Sequence, residues 1–135
     1  MRRKFMEPAA KPGTHIDINS IKTIMESSTI TIKVKLDEDK IPHQIEWNAK
    51  GTTAHDTQQA KAMMLAFWDG TEKTALRIDL WTKEMMIDEM ADFFYQSLIT
   101  MADAYNRATH HEELTTEMKE FAKTFYQKFR EKHLK

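Results

Sequence analysis

The sequence predicts a two-layer α+β protein in which a small, mostly antiparallel three-stranded sheet packs on three helices in the order ββαβαα. A chain of 135 residues is long enough for one domain with its own core. Residues 30–36 and 76–80 alternate between apolar and polar side chains, which is typical of half-buried strands. Residues 87–108 and 115–132 repeat apolar side chains at helical spacing. Layering the sheet on the helices would bury every apolar face.

The beginning of the chain shows no sustained hydrophobic period. Residues 1–27 contain Pro8, Pro12 and Gly13, which interrupt regular structure. We therefore expect a mobile N-terminal extension over residues 1–27 and a single α+β domain over residues 28–135.

The first two strands should form a hairpin. Most apolar side chains from residue 30 to residue 36 are β-branched, and they alternate with Thr and Lys. The acidic segment 37–40 makes a turn, and Pro42 opens a second run in which Ile45 and Trp47 face the same way. A connection of about five residues favours antiparallel neighbours.

A first helix is expected after the hairpin. Asp56 or Thr57 would cap its start, and Gly70 after Asp69 would end it in the left-handed conformation. Its apolar residues fall at i, i+3, i+4 and i+7, namely Ala60, Met63, Met64 and Phe67.

A third strand follows, with Leu76, Ile78 and Leu80 on its inner face. If the crossover through the first helix is right-handed, this strand returns beside the first strand, which becomes central. Opposite charges of the three strands would then pair across the outer face of the sheet. These charges belong to Lys33, Lys35, Glu46, Arg77 and Asp79.

The two remaining helices have wide apolar stripes. In residues 87–108 the stripe consists of Ile87, Met90, Ala91, Phe94, Leu98, Met101, Ala102 and Tyr105. In residues 115–132 it consists of Met118, Phe121, Ala122, Phe125 and Phe129. The first stripe is wide enough to need two layers of neighbours, which the last helix and the sheet would supply.

Composition excludes several functional classes. With 20 basic and 21 acidic residues, the net charge of -1 creates no field that would hold nucleic acid or an anionic membrane. No apolar run is long enough to span a bilayer. The absence of Cys excludes disulfides and thiol catalysis, and three scattered Gly exclude glycine-rich phosphate loops. We expect no nucleic-acid partner and no membrane insertion.

No pattern indicates a metal or catalytic centre. None of the six His lies at helical i, i+3 or i+4 spacing from another, and the adjacent His110 and His111 would diverge on a helix. The segment from His110 to Glu112 is better explained as a polar loop between helices. The carboxylates are better explained as solvated or ion-paired groups than as an acid/base pair. We therefore predict no metal ligands and no catalytic residues.

The best candidate for a partner-binding site surrounds Trp81. This side chain should point away from the core face together with Arg77 and Asp79, and exposed Trp is common at contact hot spots. The flexible pair Met85 and Met86 follows directly and would extend the patch. The alternative is a Trp81 that lies over the sheet edge or under residues 82–86.

Four stretches of the chain resemble the GldC-type gliding motility-associated family of the Bacteroidetes, and they occur in order between about residues 29 and 127. They are residues 33–47 (KVKLDEDKIPHQIEW), 61–69 (KAMMLAFWD), 76–90 (LRIDLWTKEMMIDEM) and 93–109 (FFYQSLITMADAYNRAT). The resemblance implies an accessory, non-enzymatic and cytoplasmic protein of the gliding machinery, without a cofactor, that acts through protein–protein interaction.

The sequence departs from the pattern of that family in one segment and at one further position. Two other hypotheses about the function also stay open. Residues 1–24 look like an extension, so that Met25 is a candidate initiator, and Met86 stands where a helix-starting Pro is expected. One open hypothesis is a small ligand-binding protein or enzyme with a pocket between the sheet and the long helix. The other is a homo-oligomer, because Phe93 and Ile99 exceed what one domain would cover.

Overall fold

The computed structural model describes residues 26–133, so the predicted N-terminal extension and the candidate initiator Met25 lie outside the described residues. The elements are β1 (Ile30–Leu36), β2 (Pro42–Ala49), β3 (Gln58–Ala60), β4 (Ala62–Asp69), β5 (Thr74–Trp81), α1 (Ile87–Thr109) and α2 (Glu112–His133). The α+β class is thus observed. The strands and the helices fall into two compact units that divide between Lys83 and Glu84, and each unit is described separately.

The first hairpin has the predicted strands. β1 pairs antiparallel with β2 from Ile30↔Ala49 to Leu36↔Pro42, with one shift in register between Lys35 and Leu36. Ile45 is 1% exposed and is the largest fully buried side chain in the described part of the chain. The period-two pattern therefore located both strands correctly.

The turn between β1 and β2 is organised by Asp37. Its Oδ1 accepts hydrogen bonds from the backbone N–H groups of Asp39 (2.9 Å) and Ile41 (3.0 Å). Its Oδ2 lies 2.6 Å from Nζ of Lys83, and this bond from Lys83 is the main reason why the pKa of Asp37 is lowered. Because Lys83 follows β5, the ion pair connects the first hairpin to the end of the last strand.

The predicted first helix is wrong, because residues 58–69 form strands β3 and β4. Asp69 starts a hairpin turn instead of ending a helix, since its Oδ1 accepts hydrogen bonds from the N–H groups of Thr71 (2.9 Å) and Glu72 (3.1 Å). In the turn the left-handed conformation belongs to Lys73 (φ 54°) rather than to Gly70. Eight residue pairs with β5 provide the backbone partners that a helix would have found within itself.

The sheet topology also differs from the prediction of one three-stranded sheet with the first strand central. The structure has a three-stranded sheet in the order β1-β2-β3, with β2 central, and a separate two-stranded sheet of β4 and β5. The order ββαβαα is therefore replaced by five strands followed by two helices. The predicted third strand is β5. Because β1 and β5 belong to different sheets, the predicted charge pairs across one sheet are replaced by pairs within each sheet. Lys35 pairs with Glu46 (3.0 Å), and Arg77 pairs with Asp79 (3.0 Å).

The two predicted C-terminal helices are confirmed and form an antiparallel hairpin. His110 ends α1 in the left-handed conformation (φ 58°), and its N–H donates to the carbonyl of Asn106 (2.8 Å). At the start of α1, the N–H of Met86 donates to the carboxylate of Glu89 (3.0 Å), which caps the helix without a Pro.

The buried positions in the seam between α1 and α2 are occupied by small side chains. Ala91, Ala102 and Ala122 are buried along it, and the rings of Tyr95 and Tyr126 stack with their centroids 4.9 Å apart. Small residues let the two helices approach closely. The seam therefore follows one flank of the predicted stripe of α1.

Three large side chains of the stripe on α1 lie beside the seam rather than in it. Ile87, Phe94 and Met101 are all exposed, as are Leu114 and Phe121 on α2. The helical hairpin consequently has apolar surface that its own two helices do not cover.

Two polar pairs also join the helices. Nζ of Lys119 lies 2.6 Å from Oδ1 of Asp103, and this bond lowers the pKa of the Asp103 carboxyl group. A hydrogen bond to the carboxylate of Asp92 is the main reason why the pKa of the Tyr126 hydroxyl is raised.

The packing of the seam can be tested with Ala102→Leu. Ala102 is fully buried, so the larger side chain should force the helices apart and lower the free energy of unfolding by about 1–3 kcal/mol in urea denaturation followed by circular dichroism. Ala104→Leu is the matched control, because Ala104 is exposed on the same helix. Equal stability of the two variants would contradict the seam.

The hydrogen bond between Tyr126 and Asp92 can be tested by titrating the tyrosine hydroxyl groups at alkaline pH. Since the bond favours the protonated hydroxyl, its stabilising contribution is present below the ordinary tyrosine pKa of 10.0 and is lost as the pH rises through the raised pKa. In an absorbance titration of tyrosinate, Asp92→Asn should move the ionisation of Tyr126 to lower pH, and Tyr126→Phe should remove it. A titration that Asp92→Asn leaves unchanged would argue against the bond.

Candidate interaction surface

The hairpin of β4 and β5 presents two faces of different character. The register pairs Ala62↔Trp81 through Asp69↔Thr74 directly across the strands, and successive side chains point to opposite faces. The apolar face consists of Met63, Leu65, Phe67, Leu76, Ile78 and Leu80. The mixed face consists of Ala62, Met64, Ala66, Trp68, Ala75, Arg77, Asp79 and Trp81.

The described residues cover the apolar face only partly. Phe67 and Leu76 lie opposite each other and are 58% and 53% exposed, and Ile78 on the same face is 51% exposed. Full burial of such a side chain is worth about 1.5–3 kcal/mol. A contiguous group of them in contact with water marks a surface that can gain stability by contact with another molecule.

The mixed face combines two indole rings with a closed ion pair. Trp81 and Trp68 are 57% and 68% exposed. The guanidinium of Arg77 donates to both carboxylate oxygens of Asp79, from Nε (3.1 Å) and from Nη2 (3.0 Å), and this contact raises the pKa of Arg77.

The residues opposite the two indoles are small. Trp81 lies across from Ala62, and Trp68 lies across from Ala75. No bulky cross-strand neighbour therefore covers either ring, and both remain accessible. The structure thus places Arg77, Asp79 and Trp81 of the predicted patch on one face of one strand.

The other two residues of the predicted patch belong to the second unit. Met85 is half-buried, and Met86, at the start of α1, is 61% exposed. The grouping of these methionines with Trp81 stays a prediction.

Sequence reasoning missed the contribution of β4. The helical prediction included Phe67 and Trp68, but these residues lie in β4 and are 58% and 68% exposed, slightly more than Trp81 at 57%. The alternation of Met63, Leu65 and Phe67 was the available signal. The two strands have equal length on either side of a short turn that begins with Asp-Gly, which also favours a hairpin.

The polar residues considered for metal binding have other roles. Within residues 26–133, no three His, Cys, Asp or Glu side chains lie close enough together to hold a metal ion. Nδ1 of His111 lies 2.9 Å from the hydroxyl of Tyr105, and His110 caps α1.

Neither of the two described helices has the length and apolar character required to cross a membrane.

The comparisons with known proteins identify a family. The model of the family described as "Gliding motility-associated protein GldC-like" matches residues 42–131, which run from the start of β2 almost to the end of α2 and include the whole β4–β5 hairpin. No curated protein and no solved structure matches the chain. Because the match covers more than half of the 135 residues, the chain belongs to the GldC-like family of gliding motility-associated proteins.

Proposed function

We propose that this protein is an accessory, non-enzymatic component of the gliding motility machinery that binds another protein of that machinery through the mixed face of the β4–β5 hairpin. The family membership supports the association with gliding motility. The exposure of Trp81 and Trp68 beside a paired Arg and Asp is the observation that supports this face as the contact surface.

The chemistry of the mixed face suits a protein partner. Trp and Arg are the side chains most enriched at the energetic centre of protein interfaces, because a rigid ring or a planar guanidinium fills a pocket at low entropic cost. Arg77 and Asp79 already satisfy each other, so that burying them together leaves no charge unpaired. We infer a partner with an apolar pocket for the Trp81 ring and polar groups at its rim.

The charged groups are engaged in ways that favour structure over catalysis. Asp37 is paired with Lys83, Asp79 with Arg77, and Asp103 with Lys119. A general acid or base needs a carboxyl group or imidazole poised beside a substrate, with its pKa brought near the working pH. The lowered pKa values of Asp37 and Asp103 are the reverse of that arrangement. The GldC-like family is also not a known enzyme family.

The cellular location of the protein is also part of the proposed function. We propose a cytoplasmic protein whose partner is presented on the cytoplasmic side of the machinery.

The role of Trp81 can be tested by capture from gliding cells. The full chain carrying Trp81→Ala should recover much less of the component that wild type captures after cross-linking, because loss of a hot-spot Trp costs about 2 kcal/mol or more, roughly a thirtyfold weaker association. Phe121→Ala is the matched control, because it removes a similarly exposed aromatic ring from the helical unit.

Circular dichroism should show that both variants retain their helices and strands, since neither side chain is buried. Equal recovery by Trp81→Ala and wild type, or a loss confined to Phe121→Ala, would contradict the proposed contact surface.

A further inference from the structure

Among residues 26–133, no strand pairs with the outer edge of β5. The N–H of Thr82 donates to the carbonyl of Lys61 (2.8 Å), and these residues lie directly opposite each other in the extended β4–β5 register. Hydrogen-bonded and non-hydrogen-bonded pairs alternate along an antiparallel ladder. Leu76, Ile78 and Leu80 therefore direct their backbone groups toward β4. The backbone groups that point away from β4 belong to Ala75, Arg77, Asp79 and Trp81.

This edge carries few of the features that prevent strand addition. Within residues 26–133, β4 is the one strand that pairs with β5. The register of the eight pairs is continuous, without a bulge, and β5 contains neither Pro nor Lys. Native edge strands usually carry such features to block pairing with another chain.

We propose that β5 pairs antiparallel with β5 of a second copy of this chain, about a twofold axis at Ile78. The product is a homodimer with a continuous four-stranded sheet in the order β4-β5-β5-β4. The pairing uses the backbone edge of the hairpin and leaves the mixed face open. Arg77 and Asp79 take part in both the dimer and the proposed contact with a gliding partner, whereas the backbone edge of β5 takes part in the dimer alone.

Charge complementarity selects this register. With the axis at Ile78, Arg77 of each copy faces Asp79 of the other, so two opposite-charge pairs form. An axis at Arg77 would oppose two guanidinium groups, and an axis at Asp79 would oppose two carboxylates. A parallel, in-register arrangement would also place like charges side by side.

The new pairs extend a contact that already exists. Arg77 and Asp79 are hydrogen-bonded within one chain, with distances of 3.0 and 3.1 Å. In the dimer each charge gains a second opposite neighbour across the axis, which closes a network of four alternating charges. Such networks stabilise more than isolated surface pairs do.

The apolar side chains fit the same register. Ile78 meets Ile78 of the second copy, and Leu76 meets Leu80, so both copies contribute to one apolar face. Trp81 lies opposite Ala75 of the second copy on the mixed face, where a larger residue would crowd the indole. An isolated two-stranded hairpin is marginally stable, and four strands with a shared apolar face provide the missing support.

Reciprocal charge inversion tests the register. In Arg77→Asp every charge at positions 77 and 79 is negative, and in Asp79→Arg every one is positive. Each variant alone should dimerise with a dissociation constant raised roughly tenfold or more over wild type in analytical ultracentrifugation. An equimolar mixture of the two should regain wild-type affinity, because both cross-axis pairs are then restored.

The mixture distinguishes charge pairs between copies from the charge pair within one chain. Mixing restores the opposite-charge pairs across the axis, but residues 77 and 79 of each variant still carry like charges. A wild-type chain that stays at 15.9 kDa at all concentrations would overturn the proposal. So would single variants that dimerise as well as wild type, or a mixture that stays as weak as its parents.

A second measurement does not depend on the charged residues. The chain contains no Cys, so each engineered thiol is unique. Ile78→Cys should form a disulfide-linked dimer under mild oxidation, because opposed residues of a non-hydrogen-bonded pair have Cα atoms about 4.5 Å apart, within disulfide range.

Leu76→Cys is the matched control on the same face of the same strand. Its two copies would be offset by four residues, roughly 13 Å along the strand, and should not link. A mixture of Leu76→Cys with Leu80→Cys should link as a mixed dimer. Equal linkage of Ile78→Cys and Leu76→Cys, or no linkage of Ile78→Cys, would contradict the register.

Discussion

The in-register pairing of β4 with β5 is the constraint on which the exposed surfaces of this protein depend. Eight residue pairs, from Ala62↔Trp81 to Asp69↔Thr74, run without a shift between two strands of eight residues. Because side chains alternate with a period of two, this single register decides that Phe67 and Ile78 share the apolar face while Arg77 and Trp81 share the mixed face. The same register decides which backbone groups of β5 point outward. A slip of one residue would mix the two faces.

The energetic consequence is that the described part of the chain, residues 26–133, has large apolar side chains that its own packing leaves exposed. Among the described residues, Ile45 is the one large side chain that is fully buried, and the other buried apolar residues are alanines. The helical hairpin shows the same distribution, since the buried residues of its seam are small while Phe94 and Phe121 remain exposed. Contacts with other protein molecules are a physical means of covering such surface, and this gives the proposed interaction role and the proposed dimer a common cause.

Sequence analysis predicted correctly the elements whose apolar residues follow either helical spacing or strand alternation alone. It failed in the segment where the apolar residues fit both. β1, β5 and both helices each follow a single period over their full length. In residues 60–67, by contrast, Ala60, Met63 and Phe67 satisfy helical spacing while Met63, Leu65 and Phe67 satisfy strand spacing. Local pattern could not decide between them, because the decision comes from pairing with β5 farther along the chain. The position of Arg77, Asp79 and Trp81 on one face followed from alternation alone, whereas the exposure of Trp68 required the correct strand.

Residue-resolved hydrogen exchange of the full-length chain at high and low protein concentration tests most directly whether β5 is the strand through which copies of this chain meet. The amides of Ala75, Arg77, Asp79 and Trp81 point away from β4, while those of Leu76, Ile78 and Leu80 point toward it. If copies pair through β5, both sets of amides should exchange slowly at high concentration, and dilution should speed the exchange of the outward set while the inward set stays protected. Rapid exchange of the outward amides at every concentration would contradict it.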